Sequence, residues 1–279
     1  MRPGDLIGER FLIEHLAGVG GMGEVYRAVD RTTGKAVAIK VLRELNLESS
    51  QRLAEESRML ETLSHPHIVR YVAHGIVPTG APYLAMEWLD GESLATRLTR
   101  KGLRLEETVA LATHVAEALA VAHAQGVVHR DIKPSNLFLQ HGDIEHVKVL
   151  DFGVAREEGA GRRLTLTGSI VGTPGYMAPE QARANKRVVD ARADVFSLGA
   201  VLFECLTGHA AFEGDHAIAV LASLLLSEVP RVRSIRPDVP EVLDGLVGRM
   251  LAKDPDGRPT DGAAVATELW AIGRIEGGS

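Results

Sequence analysis

The hydrophobic period of this chain changes once, near Asp90, and that change restricts the fold more than any other feature. Before it, "RFLIEHLA" (10–17), "GEVYRAVD" (23–30) and "GKAVAIKVL" (34–42) carry β-branched and aromatic residues in strand-like runs. A glycine cluster and the turn signal "DRTTG" separate them. "HIVRYVAHGIV" (67–77) and "APYLAMEWL" (81–89) read as two further strands, and one helix interrupts the series over "SQRLAEESRMLETL" (50–63). After Asp90 the pattern turns helical. "EETVALATHVAEALAVAHAQG" puts Val109, Ala112, Val115, Leu119 and Ala122 on one face and reaches a stop at Gly126. "ADVFSLGAVLFECLTG" and "VPEVLDGLVGRMLA" follow the same rule. Strands first and helices afterwards make an α+β chain. The expected layout is a small strand-rich lobe and a larger helical lobe, joined near Glu87–Leu89, with no internal repeat.

Composition narrows the classes of function. A formal net charge of -6 argues against a general nucleic-acid binder, which carries a basic excess or stripe. The single cysteine, Cys205, excludes a disulfide framework within the chain and reads as a buried thiol in the apolar "LFECLTG". The start has no secretory apolar region. The longest apolar run, Ala217–Leu226, is too short to cross a bilayer and reads as a buried helix. The expectation is a soluble, cytoplasmic protein with no membrane segment; any anchor would lie beyond Ser279.

Chemistry concentrates in a few short segments. "AGVGGMGEVY" holds Gly18, Gly20 and Gly23, and such loops let backbone N–H groups approach phosphate oxygens. A plain hairpin turn accounts for the same pattern. Dinucleotide binding would need a helix to begin inside the motif, whereas "EVYRAV" is strand-like. In "VAIK", Lys40 ends an apolar strand, where a lysine is costly unless paired or solvated. Glu56 or its neighbour Glu55 could pair with it; Glu56 is preferred because it shares a face with Leu60 and Leu63. "HRDIKPSN" (129–136) packs His129, Arg130, Asp131 and Lys133 between two apolar segments. "DFG" puts Asp151 at the end of the strand "HVKVL", where a carboxylate suits a hard cation such as Mg²⁺, and Asn136 could add a neutral oxygen. His65 and His67 in "SHPHIV" have too little company for a metal site and read as loop packing. Arg162 and Arg163, and the cluster Arg231, Arg233 and Arg236, read as solvated surface.

Taken in order, the glycine loop, "VAIK", a helical glutamate, "HRDIKPSN", "DFG" and "APE" (Ala178–Glu180) resemble the eukaryotic-type (Hanks-type) protein kinases. The resemblance runs from Phe11 to Leu269. "GGMGEVYRA", "HRDIKPSN" and "GTPGYMAPEQA" narrow it to the bacterial serine/threonine kinases of that superfamily. It implies a two-lobed fold, an antiparallel sheet with one main helix (about 1–88) followed by a mostly helical lobe (about 89–272), and a short tail over 273–279.

The resemblance also implies roles. Gly18, Gly20 and Gly23 would cover the phosphates of ATP; Lys40, oriented by Glu56, would hold the α- and β-phosphates. Val25 and Ala38 would flank the adenine, with Glu87 to Leu89 as the hinge and Met86 behind it. Asp131 would accept the substrate hydroxyl proton and Lys133 would neutralise the γ-phosphate. Asn136 and Asp151 would bind Mg²⁺, or Mn²⁺ in its place. Asp194 would brace the catalytic loop, and Arg258 would pair with Glu180. The implied activity is phosphoryl transfer from ATP to Ser/Thr hydroxyls of proteins. Lys133 and Thr173 mark this specificity, and Thr165 and Thr167 are candidate autophosphorylation sites. A pseudokinase scaffold would lack Lys40, Asp131 or Asp151, and all three are present. A small-molecule phosphotransferase of similar fold would generally lack the glycine loop and "APE".

Overall fold

Alternation in the first ninety residues is realised as a six-stranded antiparallel sheet. The structure, a computed structural model, describes residues 1–20, 23–42, 60–152, 174–183 and 189–276. These residues fall into two compact units, one drawn from Met1–Ser64 and Ile68–Asp90, the other from His65–His67 and from Gly91 onward.

The first unit is the sheet, with strands β1 (Leu6–Ile7), β2 (Phe11–Gly20), β3 (Gly23–Asp30), β4 (Lys35–Leu42), β5 (Tyr71–Ile76) and β6 (Pro82–Glu87) in the order β1-β2-β3-β4-β6-β5. Period-2 patterning sends Ile7, Phe11, Ile13, Tyr26, Ala28, Val37 and Ile39 to one buried face, where Tyr83 and Ala85 join them. Each large side chain buried there contributes about 1.5–3 kcal/mol. Asp30 lies on this face too and is 1% exposed. A buried carboxylate needs partners, and it has them: Arg10 Nε and NH2 donate to its two oxygens at 3.0 and 2.9 Å, and Thr32 adds its N–H and hydroxyl. These bonds also fix the β3–β4 turn.

The strand expected over 67–77 begins only at Tyr71. His65–His67 belong to the other unit, where His67 O accepts from Val149 N at 2.8 Å. That long-range bond takes these residues out of the sheet, and local strand propensity does not register it. The expected helix over 50–63 lies largely outside the described residues.

The second unit is mostly helical. It contains α1 (Leu94–Arg100), α2 (Leu105–Ala124), α3 (Pro179–Ala182), α4 (Ala191–Thr207), α5 (Ala217–Leu226), α6 (Val232–Ile235), α7 (Glu241–Met250) and α8 (Gly262–Glu276). A small sheet runs β7 (Gly91–Ser93), β8 (Leu137–Gln140) and β9 (Val147–Val149), in that order. α4 is apolar on nearly all sides and accordingly is buried almost throughout, Cys205 included. Burial pushes the Cys205 thiol up, away from the reactive thiolate. Asp190 caps α4 by accepting from Arg192 N, and Gly208 ends it in the left-handed region (φ 75°).

α5 departs from the buried helix expected there. Only Leu224 is buried, while Ile218 and Leu226 are 56% and 84% exposed. An unbroken apolar run has no period, so it cannot say which face, if any, meets the core. No helix among the described residues is long and apolar enough to cross a membrane.

Candidate active site

In the sheet unit, hydrogen-bond register lines up the residues singled out from the sequence. Val25 pairs with Gly18 on one side and with Lys40 on the other; Gly20 pairs with Gly23. Ala38 faces Met86, and Lys40 faces Leu84. Gly23 has φ 151°, and a Cβ on it would stand 2.0 Å from Val41 O. No other residue fits there. Lys40 is 9% exposed, deep for an ammonium-bearing chain. Glu87 closes β6 with its amide donating to Arg70 O and its carboxylate accepting from Arg70 N, both at 2.9 Å. Leu89 follows, half-buried. Glu56, Thr165 and Thr167 lie outside the described residues.

In the helical unit, the loop 129–136 is built on one buried carboxylate. Asp194, in the first turn of α4 and 0% exposed, accepts from His129 N and Arg130 N, each at 2.7 Å. Its Oδ2 also meets His123 Nε2 at 2.9 Å. Gly262 N donates to His123 Nδ1 at 3.1 Å, so the ring proton sits on Nε2 and points at Asp194. A charge with three donors is satisfied without a cationic partner.

His129 repeats the same logic one step on. Its Nδ1 accepts from Asp131 N at 3.2 Å and its Nε2 donates to Leu150 O at 2.7 Å. Burial holds this imidazole below its ordinary pKa, in the neutral form that this pair of bonds requires. Phe152 packs on it at 4.7 Å between ring centroids.

Arg130 and Asp151 both take left-handed backbone conformations, φ 65° and 56°, which cost about 1–3 kcal/mol each for such residues. Neighbouring bonds hold them there. Asp194 fixes the Arg130 amide, and Gln181 Nε2 donates to Arg130 O at 3.0 Å. Leu150, just before Asp151, donates its amide to Asn136 O at 2.9 Å. Because Leu137 pairs with Val149, Asn136 and Asp151 sit at the same end of the β8–β9 ladder.

Between these fixed points the Asp131 carboxylate meets Lys133 Nζ at 2.9 Å and Asn136 Nδ2 at 3.2 Å. Asn136 Nδ2 also donates to Asp131 O at 2.8 Å. These bonds use the amide nitrogen of Asn136 and leave its side-chain oxygen for another ligand. An amide oxygen and a carboxylate at one strand end form a hard-oxygen set that fits a divalent cation.

The model of the protein kinase domain matches residues 11–270. The chain belongs to the protein kinase family. Its relatives include the serine/threonine-protein kinase Pkn3 of Myxococcus xanthus, 35% identical over 280 residues, covering 96% of this chain and 51% of Pkn3. The DNA damage-responsive serine/threonine-protein kinase RqkA of Deinococcus radiodurans is 38% identical, with 98% of this chain and 41% of RqkA covered. The chain thus spans about half the length of these curated relatives, or less. Among solved structures, the kinase domain of Mycobacterium tuberculosis PknI superposes with a TM-score of 0.77 at 26% identity, covering 97% of this chain and 98% of that one. The fold is accordingly a bacterial, Hanks-type serine/threonine kinase domain, and the family uses ATP and a divalent metal.

Two residues of this kinase domain that order the loop 129–136 carry no mark in the sequence reading. His123 anchors Asp194 to the start of α8, and Gln181 joins the "APE" helix to Arg130. His123 falls on the helical stripe one residue after Ala122, where period alone reads it as a helix-end residue. Gln181 had a local signal: it follows Ala178 by three, and its Oε1 accepts from Ala178 N at 2.9 Å, as in a capping box.

Proposed function

We propose that this domain transfers the γ-phosphate of ATP to Ser/Thr hydroxyls of proteins, its own activation segment among them, as one kinase domain over residues 1–272. The observation that carries the reading is the Asp194 clamp. By holding two successive amides it fixes the backbone entering Asp131, and Lys133 lies 2.9 Å from the Asp131 carboxylate.

In this reading Asp131 accepts the proton of the attacking hydroxyl and orients its oxygen. Lys133 draws negative charge from the transferring phosphoryl group, a task in which fixed position matters more than proton affinity. Asn136 and Asp151 hold Mg²⁺, or Mn²⁺ in its place, which when bound neutralises phosphate charge. Lys40, steadied by Glu56, grips the α- and β-phosphates. Gly18, Gly20 and Gly23 cover them with backbone N–H groups. Val25 and Ala38 line the adenine, and Glu87 and Leu89 offer it hinge backbone. Dependence on ATP makes the cytoplasm the place of action.

The test is incubation of the purified protein with Mg²⁺-ATP and a generic protein substrate, followed by phosphosite mapping. Asp131→Asn should lower the rate on the order of 10²–10⁴-fold. Lys40→Met and Asp151→Asn should nearly abolish transfer with thermal unfolding unchanged. No transfer to protein, or wild-type turnover in these variants, overturns the reading.

A further inference from the structure

Away from the catalytic loop, a second group of chemically competent side chains comes together in the helical unit. One ligand-capable atom each from His67, His114 and Glu117 lies within 4.8 Å of the others. From the sequence, His65 and His67 lack company; the fold supplies it. His114 and Glu117 are one turn apart on α2, and His67 arrives from the turn that precedes the sheet's fifth strand.

Each of the three has its outer atom already held. His67 Nδ1 lies 3.0 Å from Val147 O. His114 Nε2 lies 3.0 Å from Glu145 Oε2. Glu117 Oε1 accepts from Trp270 Nε1 at 2.9 Å. A carbonyl and a carboxylate only accept, so these contacts place the ring protons on His67 Nδ1 and His114 Nε2. The lone pairs left over are those of His67 Nε2 and His114 Nδ1. The latter is a buried atom with no hydrogen-bond partner among the described residues and stands 3.7 Å from Glu117 Oε2. Two acceptors facing each other at a half-buried position call for a cation between them, a second ring proton or a metal ion.

We propose that His67 Nε2, His114 Nδ1 and Glu117 Oε2 form a binding site for a divalent transition metal of the zinc type. Two imidazoles and one carboxylate are a recognised zinc donor set, and the fourth position falls to water. Ring N–H groups given to a carbonyl and a carboxylate, and a ligating carboxylate held by an indole, are the outer contacts such ligands need. The rings of His67 and His114 stack at 4.2 Å between centroids, 23° from parallel. An ion at about 2.0–2.2 Å from each ligand must lie in both ring planes, so binding turns the imidazoles out of their stack. The bound ion ties the 65–67 turn to α2 and, through Trp270, to α8.

The probe is Co²⁺, titrated into untagged protein after chelator treatment and followed by visible absorption and by tryptophan emission. A Trp88→Phe background leaves Trp270 as the reporter, since the chain has two tryptophans. The expected result is one Co²⁺ per chain, saturable quenching of Trp270, and displacement by Zn²⁺. Zinc at a hundredfold its dissociation constant should raise the melting midpoint by roughly 5–11 °C. His114→Asn and Glu117→Gln, both at partly exposed positions where folding survives, should each weaken binding at least tenfold. With Trp88 intact, absorption should report about a tenfold weakening in Trp270→Phe, which removes only the outer contact. Absence of saturable binding, or an affinity unchanged in either ligand variant, overturns the assignment whatever the kinase activity.

Discussion

Arg258→Ala removes a guanidinium whose five N–H groups are all engaged. NH1 and NH2 donate to the two Glu180 oxygens at 2.7 and 2.9 Å. Nε donates to Ala252 O at 2.8 Å, and the remaining two hydrogens go to Arg192 O and Lys253 O. Phe196 packs against the guanidinium plane at 4.8 Å. Both partners are buried, Arg258 at 5% and Glu180 at 9% exposure. Truncation therefore strands a carboxylate where water does not replace the lost donors. Breaking a buried pair in this way costs about 3–5 kcal/mol. At about 2–4 °C per kcal/mol for a chain near this size, the melting midpoint should fall by roughly 6–20 °C. Circular dichroism melts of wild type, Arg258→Ala and the double variant Arg258→Met/Glu180→Leu separate the charge from the packing. The double variant removes both charges and should recover part of the loss, the three carbonyls still lacking the guanidinium donors. A single variant melting within about a degree of wild type would refute the reasoning.

Three further outcomes are expected. Asp194→Asn must turn an NH2 group toward either Arg130 N–H or the His129 and His123 donors, so catalysis should drop with a stability loss of about 2–4 kcal/mol, read by kinetics and melting together. Arg10 holds the Asp30 carboxyl well below the usual carboxylate range; its stabilisation is complete above the unfolded pKa of about 3.9 and fades as pH falls through it. The gap in melting midpoint between wild type and Asp30→Asn should accordingly narrow below about pH 4, and a gap constant from pH 7 to 3 contradicts the pairing. Finally, a phosphate on Thr165 or Thr167 adds about −1.5 to −2 charge that Arg130 can meet, so the Thr165→Ala/Thr167→Ala variant should lose autophosphorylation and phosphorylate substrates more slowly. Equal rates for phosphorylated and phosphatase-treated enzyme would exclude that control.

What could be read in advance follows the range of the interactions. The strands around Gly23 and Lys40 and the stripe from Val109 to Ala122 are set by residues two to four apart, and their patterns are visible in any window of the chain. The loop from His129 to Asn136 shows its charged residues within eight positions, but the carboxylate that holds its backbone, Asp194, lies 64 and 65 residues from the amides it binds. The strand expected from His67 starts only at Tyr71, because the bonds that hold His67 reach Val147 and Val149. The exposed face of α5 was misread because an unbroken apolar run carries no phase. The approach of His114, Glu117 and Trp270 depends on the packing of α2 against α8, and no spacing in the sequence announces it. His123 and Gln181 act on groups 71 and 51 residues away.

On the ribosome, His65–His67 emerge well ahead of the segment that fixes them. His67 waits for a carbonyl 80 residues further along, an interval of roughly 4–16 s at about 5–20 residues per second. Strands through Glu87 leave the tunnel within that interval and can pair, while the turn between them has neither Val147 nor Val149 to dock on. Nascent chains paused after Asp90 but before Val147 therefore offer this turn undocked to chaperones and proteases, with His67 open, which the finished domain buries.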